Sequence, residues 1–230
     1  MAKRKKFLPP ALKKHAKRVA VNPTLEEIAL QFKGTPKSIA DQVGNFVMGH
    51  LPNSAKTENH KTRIFQRSAA EIVERAHPIG RFHCVDRSTL AISLLHASHV
   101  PAWVVRGIGY NQKFGKWIFH DAVEFVHNRE IHTLDFFFDE NRHTVTKGPA
   151  EDQFSKTHPN RTTIFLRGID TSHLGINTWE EYEAFSNSFF KRHQDEVRAN
   201  LSRIEQMAKH GVIPKEVAQQ LISNAKKHLI

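Results

Sequence analysis

The stretch CVDRSTLAISLLHASHVPAWVVRG, residues 84–107, carries the strongest structural signal in the chain. Its apolar residues recur at helical spacing from Val85 to Ala97 and favour a one-sided helix that begins at Cys84. Pro101 ends this pattern, and the β-branched and aromatic residues at 102–108 are typical of a strand. The stretch therefore predicts a helix, a small turn and a strand in immediate succession.

The sequence on either side of this stretch falls into a helical part, a β-rich part and a second helical part. Helices are predicted at 24–32, 37–48 and 62–75, then at 178–209 and 215–228. Strands are predicted at 102–108, 117–126, 131–138 and 162–167. Helices followed by strands, rather than alternating with them, indicate an α+β fold.

Positive charge is concentrated at the N-terminus of the chain. The net charge is +11, and eight of the 34 Lys and Arg residues lie within the first 18 positions, which leaves 26 bases against 23 acids elsewhere. We expect a basic arm over 1–22, a core domain over 23–170 and a C-terminal helical extension over 171–230. The arm could contact nucleic acid or another anionic surface, or it could be a plain solubilising tail.

Cysteine content and hydropathy bear on the compartment and on cofactors. A lone cysteine excludes an internal disulfide, and no apolar run reaches the roughly 18 residues of a membrane span, so a soluble cytoplasmic protein without membrane contact is expected. His96 and His99 are suitably spaced on one helix, but no convincing third or fourth ligand accompanies them. Neither a metal nor a cofactor is therefore expected.

Cys84 and His120 are candidates for nucleophilic chemistry. A free cysteine is most often a small buried hydrophobe, but a helix N-terminus and a nearby imidazole both lower the pKa of a thiol. Alternation along 117–126 places His120 and Glu124 on the face opposite Phe119 and Val123. His120 is thus free to meet a nucleophile.

Hairpin geometry supplies an acid for this histidine. A two-residue turn at Asn128-Arg129 would pair His127 with Glu130. In that register Asp135 is a diagonal neighbour of His120 on the same face, within reach of a hydrogen bond. A slip by one residue would move Asp135 to the wrong face.

Together these segments resemble the transglutaminase-like superfamily. The resemblance covers residues 66–138, and it rests on the C-x-D helix start at 84–86, the V-P-A turn at 100–102, the V-x-G strand at 105–107, the histidine strand at 120–124 and the closing acid at 133–135. It implies a papain-like core in which Cys84 attacks an amide, His120 transfers the proton and Asp135 orients the histidine. The implied activity is hydrolysis of an amide in a protein or peptide through a thioester.

Other interpretations of the same site remain open. An amine could replace water and give glutamine transamidation, or the fold could be an inert binding module that acts through its arm and C-terminal helices. The superfamily has an aromatic residue where this chain has Ala122, and Gln66 and His77 are candidates for a side-chain oxyanion donor. Glu124 could position the site or be a polar residue on an open sheet face.

Overall fold

The structure, a computed structural model, describes residues 18–51, 65–74, 84–111, 116–137, 142–157, 163–174 and 177–226. Within these ranges four helices precede the sheet: α1 Pro23–Ala29, α2 Pro36–His50, α3 Ala69–Glu74 and α4 Cys84–Ala97. The strands are β1 Ala102–Asn111, β2 Lys116–His127, β3 Glu130–Phe137, β4 Arg142–Lys147 and β5 Thr163–Gly168. Helix α5 is Ala150–Thr157, a 3-10 turn spans Thr171–Leu174, and α6 Trp179–Lys209 and α7 Lys215–Lys226 follow.

All five strands belong to one antiparallel sheet in the order β4-β3-β2-β1-β5. Mixed helices and antiparallel strands confirm the predicted α+β class. Strand β4 and helix α5 were not predicted from the sequence. Helix α3 begins only at Ala69, because residues 65–68 form a turn and a short loop, and the earlier part of the helix predicted at 62–75 lies outside the described residues.

Helix α4 is buried on every side, so the expectation of a one-sided helix is wrong. Every residue from Cys84 to His96 is buried, because α1, α2 and α3 pack around the helix while β1 and β2 contact it as well. Polar residues on the helix therefore bond internally. Arg87 donates to the Leu51 carbonyl over 3.1 Å, and Ser88 Oγ donates to the Asp121 carbonyl over 3.1 Å.

The two faces of the sheet pack against different groups of residues. Val104 and Val123 belong to the main core that also contains α4. Because successive side chains alternate across a strand, Val105 and Ala122 point the other way. They form a second, smaller cluster with side chains from α5 and β5, namely Ala150, Phe154 and Phe165.

Both ends of the described chain are attached to this core. Val19 is fully buried, and the backbone N–H groups of Arg18 and Val19 donate to Asp170. Arg18 and Val19 are thus bonded to the folded part of the chain, and residues 1–17 of the predicted basic arm lie outside the described residues. Asn200 of α6 accepts from the Arg167 N–H at 2.7 Å and donates to the Phe165 carbonyl at 2.9 Å.

Among the described helices, none combines the length and the apolar character that crossing a membrane requires.

Candidate active site

The β2–β3 hairpin has the register that the sequence predicts. Asn128 and Arg129 form its turn with φ angles of 52° and 63°, and His127 pairs with Glu130. This register brings His120 and Asp135 together, with 2.5 Å between His120 Nε2 and Asp135 Oδ1. The same carboxylate oxygen accepts from the backbone N–H of Phe136 at 2.7 Å, which fixes its orientation.

Cys84 completes the group from a different element. It opens α4 within the described residues, it is 6% exposed, and its thiol lies close enough to the imidazole to contribute to the raised pKa of His120. Because Asp135 engages Nε2, Nδ1 is the ring nitrogen left for the thiol. The structure therefore joins the three residues predicted from the sequence in the order Cys84, His120, Asp135.

The imidazole carries a perturbed pKa. Burial by itself would lower the pKa of His120, but the negative charge and hydrogen bond of Asp135, together with Cys84, outweigh burial and hold this pKa well above 6.5. The His120 side chain is 26% exposed and that of Asp135 is 9% exposed, so solvent screens the pair only in part. This environment favours the positively charged form of the ring, which can donate from both nitrogens.

Glu124 is a buried structural carboxylate, and its interpretation as a polar residue on an open sheet face is wrong. Helix α5 packs over this face, β5 contributes Arg167 to it from within the same sheet, and Glu124 is 0% exposed. It accepts four hydrogen bonds, from Trp103 Nε1 at 2.6 Å, Ala150 N at 2.9 Å, and Arg167 Nε and Nη2 at 2.8 Å each. Burial would raise its pKa, but Arg167 outweighs burial and lowers it.

The two predicted oxyanion donors have different outcomes. Gln66 lies in the turn ahead of α3 with an exposed side chain, so its role stays a prediction. His77 lies outside the described residues. The backbone N–H of Cys84 lies at the start of α4, where the N–H groups of a helix have no partner within the helix.

Tyr182 is a neighbour of the site that the sequence did not reveal. Burial raises its pKa, and the charges of Cys84 and Glu183 raise it further. Its ring lies edge-on to the ring of Phe119, with 4.8 Å between the two centroids. Phe119 is the residue that precedes His120 in the chain. Tyr182 belongs to α6, far along the chain from Cys84, and no local pattern links the two residues.

The histidines considered as metal ligands do not assemble a site. Within the described ranges, no group of three or more His, Cys, Asp or Glu side chains is arranged to hold a metal ion. His96 instead bonds through Nε2 to the Ala102 carbonyl at 2.8 Å, and burial lowers its pKa to about 4. This histidine is therefore neutral at pH 7, and its Nε2–H donates to the carbonyl.

No known protein family, curated protein or solved structure matches this chain. The chemistry of the site is consequently inferred from its own residues. A thiol at a helix N-terminus, an imidazole near it and a carboxylate bonded to that imidazole are the groups that nucleophilic acyl transfer needs.

Proposed function

We propose that this protein is a thiol-dependent enzyme of transglutaminase-like type that hydrolyses an amide bond in a protein or peptide. The observation that supports this most is the convergence of Cys84 from α4 on His120, whose ring is itself hydrogen-bonded to Asp135 at 2.5 Å. A buried helix with the cysteine at its start, packed against an antiparallel sheet that carries the histidine, is also what a papain-like core requires.

In this mechanism the Cys84 sulfur attacks the carbonyl carbon of the amide. The tetrahedral oxyanion is stabilised by the Cys84 backbone N–H and by the positive end of α4. The His120 imidazolium gives its proton to the leaving amine, and the C–N bond breaks to leave a thioester. His120 then takes a proton from water as the water attacks the thioester, and the C–S bond breaks to release the carboxylic acid and the Cys84 thiolate, which restores the starting state.

Asp135 has a positioning and electrostatic role in this scheme. Its bond to Nε2 directs Nδ1 toward the sulfur and stabilises the positive charge that the ring carries. Transamidation would use the same thioester with an amine in place of water, so the proposed residues serve both outcomes.

An inert binding module of the same fold is the second candidate. The low exposure of Cys84, 6%, favours it, because a substrate carbonyl has to reach the sulfur. The basic arm would then be the part of the chain that acts, by contact with nucleic acid. Salt-dependent binding of RNA or DNA that disappears on deletion of residues 1–17 is the expected result of that role.

Alkylation by iodoacetamide at pH 6 tests the proposed enzyme. Mass spectrometry reports Cys84 alone, since the chain has one cysteine. A free thiol with a pKa of about 8.5 is only about 0.3% thiolate at pH 6, so a thiolate paired with His120 should react at least about tenfold faster than free cysteine. His120→Ala and Asp135→Asn should each slow the reaction.

His127→Ala is the matched control, because His127 lies on the same strand and is not bonded to the site. This variant should react like the wild type. A wild-type rate no faster than that of free cysteine, unchanged by His120→Ala, would exclude the enzyme and leave the binding module.

A further inference from the structure

Helix α5 places an aromatic ring against the imidazole of the candidate site. The centroids of Phe154 and His120 are 5.5 Å apart, with 45° between the two planes. Phe154 is 9% exposed, so its ring is held inside the protein rather than on the surface. One side of the His120 ring is therefore covered by carbon atoms instead of water.

The sheet carries small residues where the Phe154 ring packs against it. Gly107 lies directly opposite His120 in the β1–β2 ladder. A Cβ atom on Gly107 would come within 2.8 Å of Phe154 Cε1, closer than carbon atoms pack. Ala122, the next residue of β2 on this face, packs in the same cluster as Phe154. Two small residues, Gly107 and Ala122, therefore lie where Phe154 packs.

The start of α5 is anchored by a buried network. The Ala150 N–H donates to Glu124 at 2.9 Å, and Arg167 Nη2 donates to Glu151 at 2.5 Å as well as to Glu124. Arg167 and Glu124 are fully buried, and the Glu151 side chain is 15% exposed. Because Phe154 follows Ala150 by about one helical turn, these bonds fix the position of its ring.

We propose that Phe154 is a positioning residue for His120, held in place by Arg167 and Glu124. It supplies from α5 the aromatic neighbour that the superfamily carries on the histidine strand, where this chain has Ala122. The ring restrains the imidazole plane and keeps water away from the bond between His120 and Asp135. Its effect on thiol reactivity rests on the proposed function, whereas its effect on the histidine does not.

Proton NMR tests the effect of Phe154 on the His120–Asp135 bond independently of activity. The His120 N–H bonded to Asp135 should give a low-field resonance that is absent in His120→Gln. In Phe154→Ala water reaches this bond, so the resonance should broaden through exchange, while Phe154→Leu should keep most of it. A resonance unaffected in Phe154→Ala, or one already lost to exchange in the wild type, would overturn the proposal.

The dependence of Cys84 alkylation on pH tests the effect of Phe154 on the reactivity of the thiol. Phe154→Ala should react about tenfold more slowly at pH 6, a loss of about 1.4 kcal/mol, and its rate profile should shift along the pH axis. Phe154→Leu should recover most of the rate, and Arg167→Lys should resemble Phe154→Ala in direction.

Phe125→Leu is the control for a general loss of stability. Phe125 is fully buried on the same strand as His120 but belongs to the main core on the opposite face. This variant should melt at a lower temperature with an unchanged pH profile. If Phe125→Leu shifts the profile as Phe154→Ala does, the positioning role is refuted. If wild-type Cys84 shows no enhanced reactivity, the proposed function fails and the NMR result alone decides the role of Phe154.

Discussion

Replacing Glu124 with glutamine should strongly destabilise the protein, although the two side chains have nearly the same shape. Glu124 accepts four hydrogen bonds at 2.6–2.9 Å from donors on β1, β5 and α5. A glutamine amide would place an N–H₂ group against two of those donors. It would also remove the charge that compensates Arg167, which is fully buried.

Removing one partner of a buried ion pair costs about 3–5 kcal/mol, because the other charge stays in a medium of low polarity. Glu151 also bonds to Arg167 and keeps the guanidinium from being wholly uncompensated, so the lower end of this range is expected. For a chain of this size each kcal/mol lowers the melting temperature by about 2–4 °C. The expected decrease for Glu124→Gln is therefore at least about 6 °C.

Thermal and urea unfolding followed by circular dichroism would measure this change. Glu130→Gln is the matched control, because Glu130 also bonds to a cation, Lys147 at 2.8 Å, but both side chains are largely exposed. That variant should melt near the wild-type temperature. Equal melting temperatures for Glu124→Gln and Glu130→Gln would refute the conclusion that the Glu124 network holds α5 against the sheet.

Two further predictions concern acid stability and the hairpin turn. Burial lowers the pKa of His96 to about 4 in the folded protein, whereas a histidine in the unfolded chain has a pKa of about 6.5. Between these two pH values the unfolded chain therefore binds a proton that the folded protein does not, and acid favours unfolding. The free energy of unfolding should thus fall by about 3 kcal/mol between pH 6.5 and 4 on account of His96. Urea titrations at both pH values should show a smaller fall in His96→Gln, and an equal fall in both proteins would contradict this origin. Arg129→Gly should raise the free energy of unfolding by about 1 kcal/mol, because φ at Arg129 is 63° and glycine adopts this region without steric cost. An unchanged urea midpoint would show that the turn is not strained.

The parts of the site that depend on short-range patterns could be predicted from the sequence. The start of α4 at Cys84 follows from apolar spacing, and the Asn128-Arg129 turn fixes which residues of β2 and β3 are neighbours. The side-chain period of a strand then places Asp135 beside His120. Each step uses residues that are close in the chain or joined by one tight turn.

The parts that were missed depend on long-range contacts or on very few buried residues. Strand β4 is at the edge of the sheet and is nowhere fully buried, so its apolar alternation is weak. Among residues 150–154 of α5, whose side chains the structure describes, only Ala150 and Phe154 are buried, which is too little for a periodic pattern. The partner of Glu124 is Arg167, 43 residues later, and nothing in either neighbourhood indicates the pairing.

His120 and Asp135 share one hairpin, whereas Cys84 belongs to a helix that has to dock against the sheet before the thiol meets the imidazole. The proposed reactivity therefore exists only in the completed tertiary structure. A nascent chain, or one opened by heat, carries a cysteine no more reactive than one in a short peptide. Such molecules would be chemically silent toward cellular amides, and labelling of Cys84 would report the fraction of molecules that have finished folding.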